Sequence, residues 1–219
     1  MSGTPDERLA IDAETFARCI QVGGVAVFPA DTVYGLACEP DTPEAVERLY
    51  AIKGRRPDKP AAVMFFDPEL AFAALPELEP RTRDLLVRLL PGALTALLPN
   101  PLHRFPLACG PDPDTLGVRV PALTGPLEPL RRMRWPVLQS SANPAGGVDA
   151  RRLEDVPEAI RREADLVLDG GELAGTASTV LDLRRYEAEG EWTVVRPGPL
   201  TEEAIAAAAA AWGGGTVTP

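Results

Sequence analysis

The stretch from Val25 to Leu36, Val-Ala-Val-Phe-Pro-Ala-Asp-Thr-Val-Tyr-Gly-Leu, joins a short apolar run to a loop rich in polar groups. The residues up to Phe28 are typical of a short buried strand. Pro29 ends that strand, because proline has no backbone N–H to donate to a sheet. A hydroxyl, a phenol and a glycine follow within a few residues. The stretch therefore predicts a strand that leads into a tight loop, with strand-like pieces continuing to Pro40.

Helical and strand patterns interleave along the rest of the chain. Helices are predicted at residues 6–22, 44–52, 68–75, 81–90, 123–134, 153–163 and 204–212, and further strands at 61–66, 94–98, 116–120, 166–168, 178–183 and 192–195. We read 139–147 as a small-residue loop and 213–219 as a loose tail. Because no internal repeat or linker divides the sequence, one α/β domain over residues 1–219 is the expected organisation.

The composition is that of a globular protein, with 45% hydrophobic and 25% charged residues. No apolar run approaches the ~20 residues that span a bilayer, and the polar start is unlike a signal peptide. We therefore expect a cytoplasmic protein. The net charge of -10 argues against a surface that binds nucleic acid as a whole, because phosphate binding depends on positive charge. A local basic pocket remains compatible with that charge.

Several common catalytic and binding motifs are absent from the sequence. It contains neither a P-loop motif nor a G-x-G-x-x-G motif. The scattered cysteines Cys19, Cys38 and Cys109 are interpreted as reduced, partly buried side chains. The single histidine, His103, lies in a proline-rich segment and is interpreted as a surface residue. Catalysis is therefore expected to depend on substrate positioning and electrostatics.

The two lysines of the chain, Lys53 and Lys59, lie in one short run with Arg55 and Arg56. Lysine carries a compact ammonium on a flexible stem, whereas arginine carries a planar fork. A polyphosphate ligand can use both kinds of cation. The run is equally compatible with a solvated helix end, since basic residues favour the last turn of a helix. A second cluster, at residues 131–134, is interpreted as such a solvated end.

Two further stretches place polar groups where ligands could bind. Arg119 lies inside the apolar strand Leu116–Val120, and a buried guanidinium needs a carboxylate or phosphate partner. The stretch Gln139–Gly147 presents hydroxyl, amide and backbone N–H groups from small residues, which suits a phosphate or a base. Either stretch alone is also compatible with an ordinary turn or a structural ion pair.

Taken in order, these stretches resemble the YrdC-type threonylcarbamoyl-AMP synthase family in its short, single-domain form. The matching motifs are Pro29-Ala-Asp-Thr-Val-Tyr-Gly-Leu36, Lys53-Gly-Arg55, Gly117-Val-Arg-Val-Pro121, Ser141-Ala-Asn143, Ser178-Thr-Val-Leu-Asp182 and Arg196-Pro-Gly198. The resemblance covers about residues 10–200. It implies a single YrdC-like domain, in which a twisted mixed β-sheet is flanked by helices.

The resemblance also implies a nucleotidyltransferase reaction. L-Threonine, bicarbonate and ATP, with Mg²⁺, would give threonylcarbamoyl-AMP and pyrophosphate for the threonylcarbamoyladenosine modification of tRNA. The expected partners are the proteins that transfer the threonylcarbamoyl group to tRNA, and weak direct binding to tRNA is a further expectation. No membrane association is expected.

The site residues implied by the resemblance form two groups. ATP would be bound by Lys53, Arg55, Lys59, Thr115, Ser141, Asn143, Asp149 and Arg196, among which Lys53 and Arg55 would also be catalytic. Threonine would be bound by Thr32, Arg119, Gln139 and Ser178. No metal ligand is assigned to the chain.

The sequence departs from the family pattern at two positions. Ala30 replaces a usual threonine, and Met64 replaces a histidine that in several members approaches the threonine substrate. Two alternatives therefore stay open. One is a paralogue of the same fold that binds nucleotide or RNA without this synthesis, and the other is a non-enzymatic RNA-binding module.

Overall fold

The structure, a computed structural model, describes residues 5–56 and 58–212. The predicted loose tail, 213–219, lies outside the described residues. One nine-stranded sheet forms the centre of the described part, in the order β7-β1-β2-β6-β3-β5-β4-β8-β9. The strands are β1 Ala26–Pro29, β2 Tyr34–Cys38, β3 Ala62–Met64, β4 Leu94–Pro99, β5 Thr115–Arg119, β6 Val137–Ser141, β7 Leu166–Val167, β8 Thr179–Asp182 and β9 Thr193–Arg196.

The sheet is mixed, as predicted. The pairs β1/β7, β3/β5 and β4/β8 are parallel, and the pairs β1/β2, β2/β6, β3/β6, β4/β5 and β8/β9 are antiparallel. The α-helices are α1 Pro5–Gln21, α2 Pro43–Lys53, α3 Pro68–Ala74, α4 Pro80–Leu89, α5 Pro106–Cys109, α6 Glu158–Glu163, α7 Tyr186–Glu189 and α8 Glu202–Ala210. None of the helices in the described part is long and apolar enough to cross a bilayer.

The core packs α1 against the edge of the sheet that carries β1. Phe16 of α1 stacks on Phe28 of β1 with ring centroids 5.1 Å apart, and Phe66 meets Phe16 edge-on at 5.9 Å. All three rings are buried. Such aromatic contacts add to the free energy gained from area burial alone. This packing fixes the strand that leads into the loop before β2.

Three sequence-based predictions of secondary structure are wrong in detail. The predicted loop 139–147 begins as a strand, because β6 pairs with β2 on one side and β3 on the other. The predicted helix 153–163 is divided into a 3-10 turn, Leu153–Asp155, and α6. Val156 between them is extended (ψ 123°), as expected for a residue that precedes proline.

The predicted helix 123–134 is a 3-10 helix, Gly125–Arg132, with Pro129 inside it. Proline cannot donate the backbone hydrogen bond that an α-helix requires there. Arg131, Arg132 and Arg134 are exposed at its end, which confirms their interpretation as solvated residues. His103 is also a surface residue, with 57% of its side chain exposed beside Asp114.

Candidate active site

A cavity of about 430 Å³ lies over the central strands, on one face of the sheet. Residues that alternate along a strand point to the same face, and the register places Thr95 opposite Arg119 and Ala62 opposite Gln139. The residues that line the cavity are Val33, Arg55, Pro60, Ala61, Ala62, Thr95, Leu97, Cys109, Asp112, Thr115, Gly117, Arg119, Gln139, Ser140, Ser141, Ala177, Ser178, Val180, Arg184 and Arg196. Most of the predicted motifs therefore meet in one place.

The cavity is strongly cationic in a protein of net charge -10. Among the described residues that line it are four arginines, Arg55, Arg119, Arg184 and Arg196, and a single carboxylate, Asp112. Clefts lined by one sign of charge concentrate ligands of the opposite sign. The cavity is therefore suited to an anion, although the surface as a whole repels one.

Lys53 is the last residue of α2 and is only 3% exposed. The helix ends there because Gly54 adopts the left-handed conformation (φ 59°), which favours glycine. Lys53 Nζ donates hydrogen bonds to the backbone oxygens of Ser141 (2.5 Å) and Asn143 (2.8 Å) and to Asn143 Oδ1 (2.8 Å). All three N–H donors of an ammonium are then occupied. Lys53 thus lies behind the lining of the cavity, where it holds the Ser141–Asn143 segment in place.

The pKa of Lys53 is lowered to about 8. Burial disfavours the charged form, and the positive charge of Arg55 adds to the shift, whereas Asp149 opposes it. At neutral pH the ammonium stays protonated, with its three acceptors in place. An anion in the adjoining cavity would stabilise that charge further.

The other basic residues of the run lie differently. Arg55 lines the cavity, and its two terminal nitrogens donate to Ser140 Oγ (3.1 Å) and to the backbone oxygen of Pro60 (2.5 Å). Arg55 Nε is buried without a hydrogen-bond partner among the described residues. Lys59 is exposed beside Pro60 and does not itself line the cavity. The structure therefore brings Arg55 to the site and leaves Lys59 at its outside.

Arg119 lies at the floor of the cavity and is 3% exposed. One terminal nitrogen donates to Asp31 Oδ1 and to Thr32 Oγ, both at 2.5 Å. Burial lowers the pKa of Arg119, and the nearby Asp31 carboxylate opposes that shift. The carboxylate partner predicted for Arg119 is thus partly supplied by the protein. Arg119 Nε has no hydrogen-bond partner within the described part of the chain, so the guanidinium is not fully satisfied.

Residues near the far end of the sheet complete the cavity wall. Ser178 Oγ lies 2.9 Å from Thr95 Oγ, and Arg196 donates to the backbone oxygen of Ser178 (2.8 Å). Gly198 lies so close to β8 that a Cβ there would be 2.4 Å from the backbone nitrogen of Thr179. Only glycine fits this approach. The Arg196-Pro-Gly198 motif therefore holds Arg196 against Ser178.

The predicted residues Asn143 and Asp149 lie behind the lining. Asn143 Nδ2 donates to the backbone oxygen of Gly147 (2.6 Å) and to Asp149 Oδ1 (3.3 Å). Ser141 Oγ donates to Asn143 Oδ1 (2.6 Å) and lines the cavity itself. These contacts order the segment that carries Ser141. Gln139 of β6 lines the cavity as well.

The two positions that depart from the family pattern are both buried. Ala30 and Met64 are 0% exposed, and neither lines the cavity. Met64 is paired with Arg119 in the register of β3 and β5 and therefore lies next to it on the sheet. Thr32 is also buried, behind Arg119. The threonine-binding group predicted from the sequence is thus split between the lining and the layer behind it.

The structure adds residues that the sequence reasoning missed. Arg184 lines the cavity and donates to Thr115 Oγ at 3.2 Å, and Asp112 lies beside it. Arg184 lies two residues after the Ser178–Asp182 motif, but an arginine close to an aspartate is ordinary on a surface and gives no local signal. Asp31 was also missed as the partner of Arg119. Its position inside the Pro29–Leu36 motif was the only feature of the sequence that pointed to a role at the site.

The chain is similar to known proteins over most of its length. The Sua5/YciO/YrdC family model, described as "Telomere recombination", matches residues 18–198. Threonylcarbamoyl-AMP synthase of Pyrococcus abyssi is 32% identical over 86% of this chain and 54% of its own length. The Bacillus subtilis enzyme of the same name is 31% identical over 87% of this chain and 54% of its own length. The chain therefore spans about half the length of these two relatives.

A further relative and the solved structures extend the comparison. The Pseudomonas aeruginosa threonylcarbamoyl-AMP synthase is 34% identical over 74% of this chain and 86% of its own length. P. abyssi Sua5 complexed with L-threonine superposes with a TM-score of 0.78 at 29% identity, over 91% of this chain and 57% of that one. Escherichia coli YciO, at 22% identity, has a TM-score of 0.69 over 87% of this chain and 90% of that one, and supports the fold alone. Because the family model covers most of its residues, the chain belongs to the Sua5/YciO/YrdC family.

Proposed function

We propose that the protein is an L-threonylcarbamoyladenylate synthase, which forms threonylcarbamoyl-AMP and pyrophosphate from L-threonine, bicarbonate and ATP. The observation that carries the proposal is that one cavity contains two separate anion-binding groups, Arg55 at one side and Arg119 at the floor. A reaction between two anions needs both, because uncompensated charges would keep the reactants apart. The names of the relatives support the same reaction.

The proposed chemistry is a displacement at the α-phosphorus of ATP. Threonine and bicarbonate give the N-carboxylate of threonine with loss of water. One oxygen of that carbamate forms a bond to the α-phosphorus, while the bond to the leaving pyrophosphate breaks and the pyrophosphate carries away the negative charge. The chain supplies orientation and positive charge for this step, since no nucleophilic side chain is required.

The nucleotide group of the proposal combines residues that line the cavity, residues that lie behind its lining, and Lys59, which is exposed outside it. It comprises Lys53, Arg55, Lys59, Thr115, Ser141, Asn143, Asp149 and Arg196. Lys53 would act by fixing the Ser141–Asn143 segment and by adding charge, since it is only 3% exposed. Arg55 would contact the triphosphate directly and stabilise charge as pyrophosphate leaves.

The threonine group comprises Thr32, Arg119, Gln139 and Ser178. One terminal nitrogen of Arg119 is occupied by Asp31 and Thr32, so the remaining guanidinium nitrogens are left for the substrate carboxylate. Thr32 would then position Arg119 from behind. Ser178, beside Thr95, would close over the amino acid from the opposite wall.

Magnesium would enter this site with ATP. In the described part of the chain no group of three or more His, Cys, Asp or Glu residues could hold a metal ion. Asp112 is the only carboxylate found in the cavity lining there. Magnesium commonly binds through substrate phosphates and keeps several waters. We therefore propose that substrate phosphates and water supply most of the magnesium ligands.

The biological role that we propose is supply of threonylcarbamoyl-AMP to proteins that modify tRNA. The mixed anhydride is reactive, so an enzyme that transfers the threonylcarbamoyl group must take it up. Weak contact with tRNA belongs to the same proposal, and with a net charge of -10 it would have to be local.

The test is pyrophosphate release by the purified chain, with detection of the AMP adduct by mass spectrometry. Pyrophosphate should appear only when L-threonine, bicarbonate and ATP are all present. Omission of any one substrate is the internal control. ATP binding without pyrophosphate release would contradict the proposal and favour a nucleotide-binding paralogue instead.

A further inference from the structure

A row of four polar residues crosses the cavity on four consecutive strands. The sheet order in this region is β5-β4-β8-β9, and all four residues line the cavity. They are Arg119 on β5, Thr95 on β4, Ser178 immediately before β8 and Arg196 on β9. The row therefore has a guanidinium at each end and two hydroxyls between them.

Contacts along the row join neighbouring members. Thr95 is opposite Arg119 in the register of β4 and β5, and such cross-strand neighbours have their Cβ atoms about 5 Å apart. Thr95 Oγ lies 2.9 Å from Ser178 Oγ. One terminal nitrogen of Arg196 donates to the backbone oxygen of Ser178 at 2.8 Å and lies 3.4 Å from Ser178 Oγ. The two hydroxyls, of Thr95 and Ser178, form a hydroxyl pair that is held between the two cations.

The hydroxyl pair has a hydrogen left to donate to a ligand. Each hydroxyl carries one hydrogen, and the contact between the two uses only one of them. Within the described part of the chain, Thr95 Oγ has no other hydrogen-bond partner, and no carboxylate contacts either hydroxyl. The pair can therefore donate to an oxygen of an anion in the cavity.

Two positive charges flank this hydroxyl pair. Burial lowers the pKa of Arg119, and the positive charge of Arg196 contributes to the same shift, so the two guanidiniums are close enough to repel each other. Arg119 is paired with Asp31, whereas the hydrogen bonds of Arg196 in the described part of the chain go to Ser178. An anion bound between the two guanidiniums would offset their repulsion.

We propose that Thr95 and Ser178 form the subsite for bicarbonate and for the carbamate group made from it. The inference rests on the proposed function. The carbamate must join the nitrogen of threonine to the α-phosphorus, and the hydroxyl pair lies between Arg119, assigned to the amino-acid carboxylate, and Arg196, assigned to ATP. In the N-carboxylate of threonine the two carboxylate carbons are separated by only three bonds. Neighbouring members of the row must therefore hold them.

The same subsite suits the ligand before and after the carbon–nitrogen bond forms. Bicarbonate and the carbamate each carry one negative charge on a planar carboxylate. The neutral amine nitrogen of threonine bonds to the carbon of bicarbonate, and water leaves with the hydroxyl of the bicarbonate and one hydrogen of the amine. A neutral hydroxyl binds the carbamate less strongly than a guanidinium would. The carbamate oxygen thus remains available to attack the α-phosphorus.

The experiment measures the KM for bicarbonate by pyrophosphate release in buffer freed of carbon dioxide, at saturating threonine and ATP. Thr95→Val removes the hydroxyl but keeps a β-branched side chain, and it should raise this KM about tenfold. The KM values for threonine and ATP should stay within about twofold of wild type, because Arg119 and Arg196 are unchanged. Thr95→Ser keeps a hydroxyl and should hold the KM for bicarbonate within about threefold of wild type. Thr193→Val is the matched control, since Thr193 is exposed on β9 and lies outside the lining.

A double variant tests whether the two hydroxyls act together. Ser178→Ala alone should also raise the KM for bicarbonate. The double variant, with Thr95→Val and Ser178→Ala, should raise it by less than the product of the two single effects, because the two hydroxyls share one hydrogen bond. Effects that multiply fully would show that the hydroxyls act independently, and the subsite as described would then be wrong.

Two further outcomes overturn the inference. One is a KM for bicarbonate in Thr95→Val within twofold of wild type. The other is a rise in the KM for threonine or ATP as large as the rise for bicarbonate, which would assign Thr95 to another substrate or to a structural role. Failure of the proposed function looks different, since wild type would then release no pyrophosphate at any bicarbonate concentration, and the inference would fall with it.

Discussion

The two faces of the central strands differ in chemistry although they share one backbone. On the cavity face β5 presents Arg119 and β6 presents Gln139, and both line the cavity. On the opposite face the adjacent residues Val118 and Leu138 are at most 2% exposed and belong to the core. Because side chains alternate along a strand, one residue faces the cavity and its neighbour in the sequence packs in the core. Substitutions one residue apart should therefore have different consequences.

The largest effect is expected on the core face. Leu138→Ala should lower the free energy of unfolding by about 3 kcal/mol, because it removes buried methyl groups and leaves a cavity. Chemical denaturation measures the change, and KM for threonine in the surviving folded protein should stay close to the wild-type value. A large rise in KM with little loss of stability would contradict the separation of the two faces.

Substitution of Lys53 tests whether anchoring of the Ser141–Asn143 segment is needed for activity. Lys53→Ala should lower kcat/KM about 100-fold, equivalent to about 2.7 kcal/mol, because the Ser141–Asn143 segment loses its anchor and the site loses a charge. Pyrophosphate release measures the effect. Arg56→Ala is the control, since Arg56 is exposed and pairs with Asp58 outside the cavity. Activity of Lys53→Ala within twofold of wild type would sink the assignment.

Arg119 tests the floor of the cavity face. Arg119→Lys keeps the charge but loses the planar fork. The KM for threonine should rise about tenfold and the KM for ATP much less, because Arg119 is assigned to the amino-acid carboxylate. Equal rises in the two constants would move Arg119 to the nucleotide or to a structural role with Asp31.

The pH dependence of activity isolates the charge of Lys53. Its pKa is lowered to about 8, so kcat/KM should fall as the pH rises above about 8 and the ammonium loses a proton. Lys53→Arg should abolish this alkaline limb, since a guanidinium stays protonated throughout the range. An unchanged limb in that variant would assign the ionisation to another group.

The smallest effect concerns substrate selectivity. Threonine should react about tenfold better than serine, because one methyl group is worth only ~1–3 kcal/mol. The preference over valine should be larger than about tenfold, because a site that binds the hydroxyl leaves its polar groups unpaired when valine is bound. Met64 is fully buried and outside the lining, so we expect residues that line the cavity to contact the methyl group. Adduct formation with the three amino acids measures the order, and equal reaction of valine would show that the hydroxyl is not recognised.

The local patterns of the sequence predicted much of this fold. The end of α2 at Gly54 followed from a glycine after a helical run, and β5 followed from apolar residues around Arg119. The strand β6 was missed at Gln139–Ser141, because the polar residues that face a cavity have the composition of a loop. Hydrophobic periodicity indicates which residues are buried apolar ones, so a strand whose buried face is polar is hard to recognise from the sequence.

Long-range partners lay beyond the reach of such patterns. Asp31 and Arg119 are 88 positions apart, and no local rule pairs them. The partners of Lys53, Ser141 and Asn143, are 88 and 90 positions away and were grouped with it only through the family motifs. Arg184 lies 69 positions from Thr115 and belongs to no motif, so its place in the lining followed only from the folded sheet.

The interleaved order of the sheet has a consequence for synthesis on the ribosome. The strand β6, made after β5, lies between β2 and β3, which were made much earlier. Until residue 141 has emerged, these two strands each lack a neighbour, and unpaired strand edges favour association with other chains. The last wall of the cavity comes later still, when Gly198 closes on Thr179. The nascent chain thus acquires its binding cavity only after the segment around Gly198 has emerged.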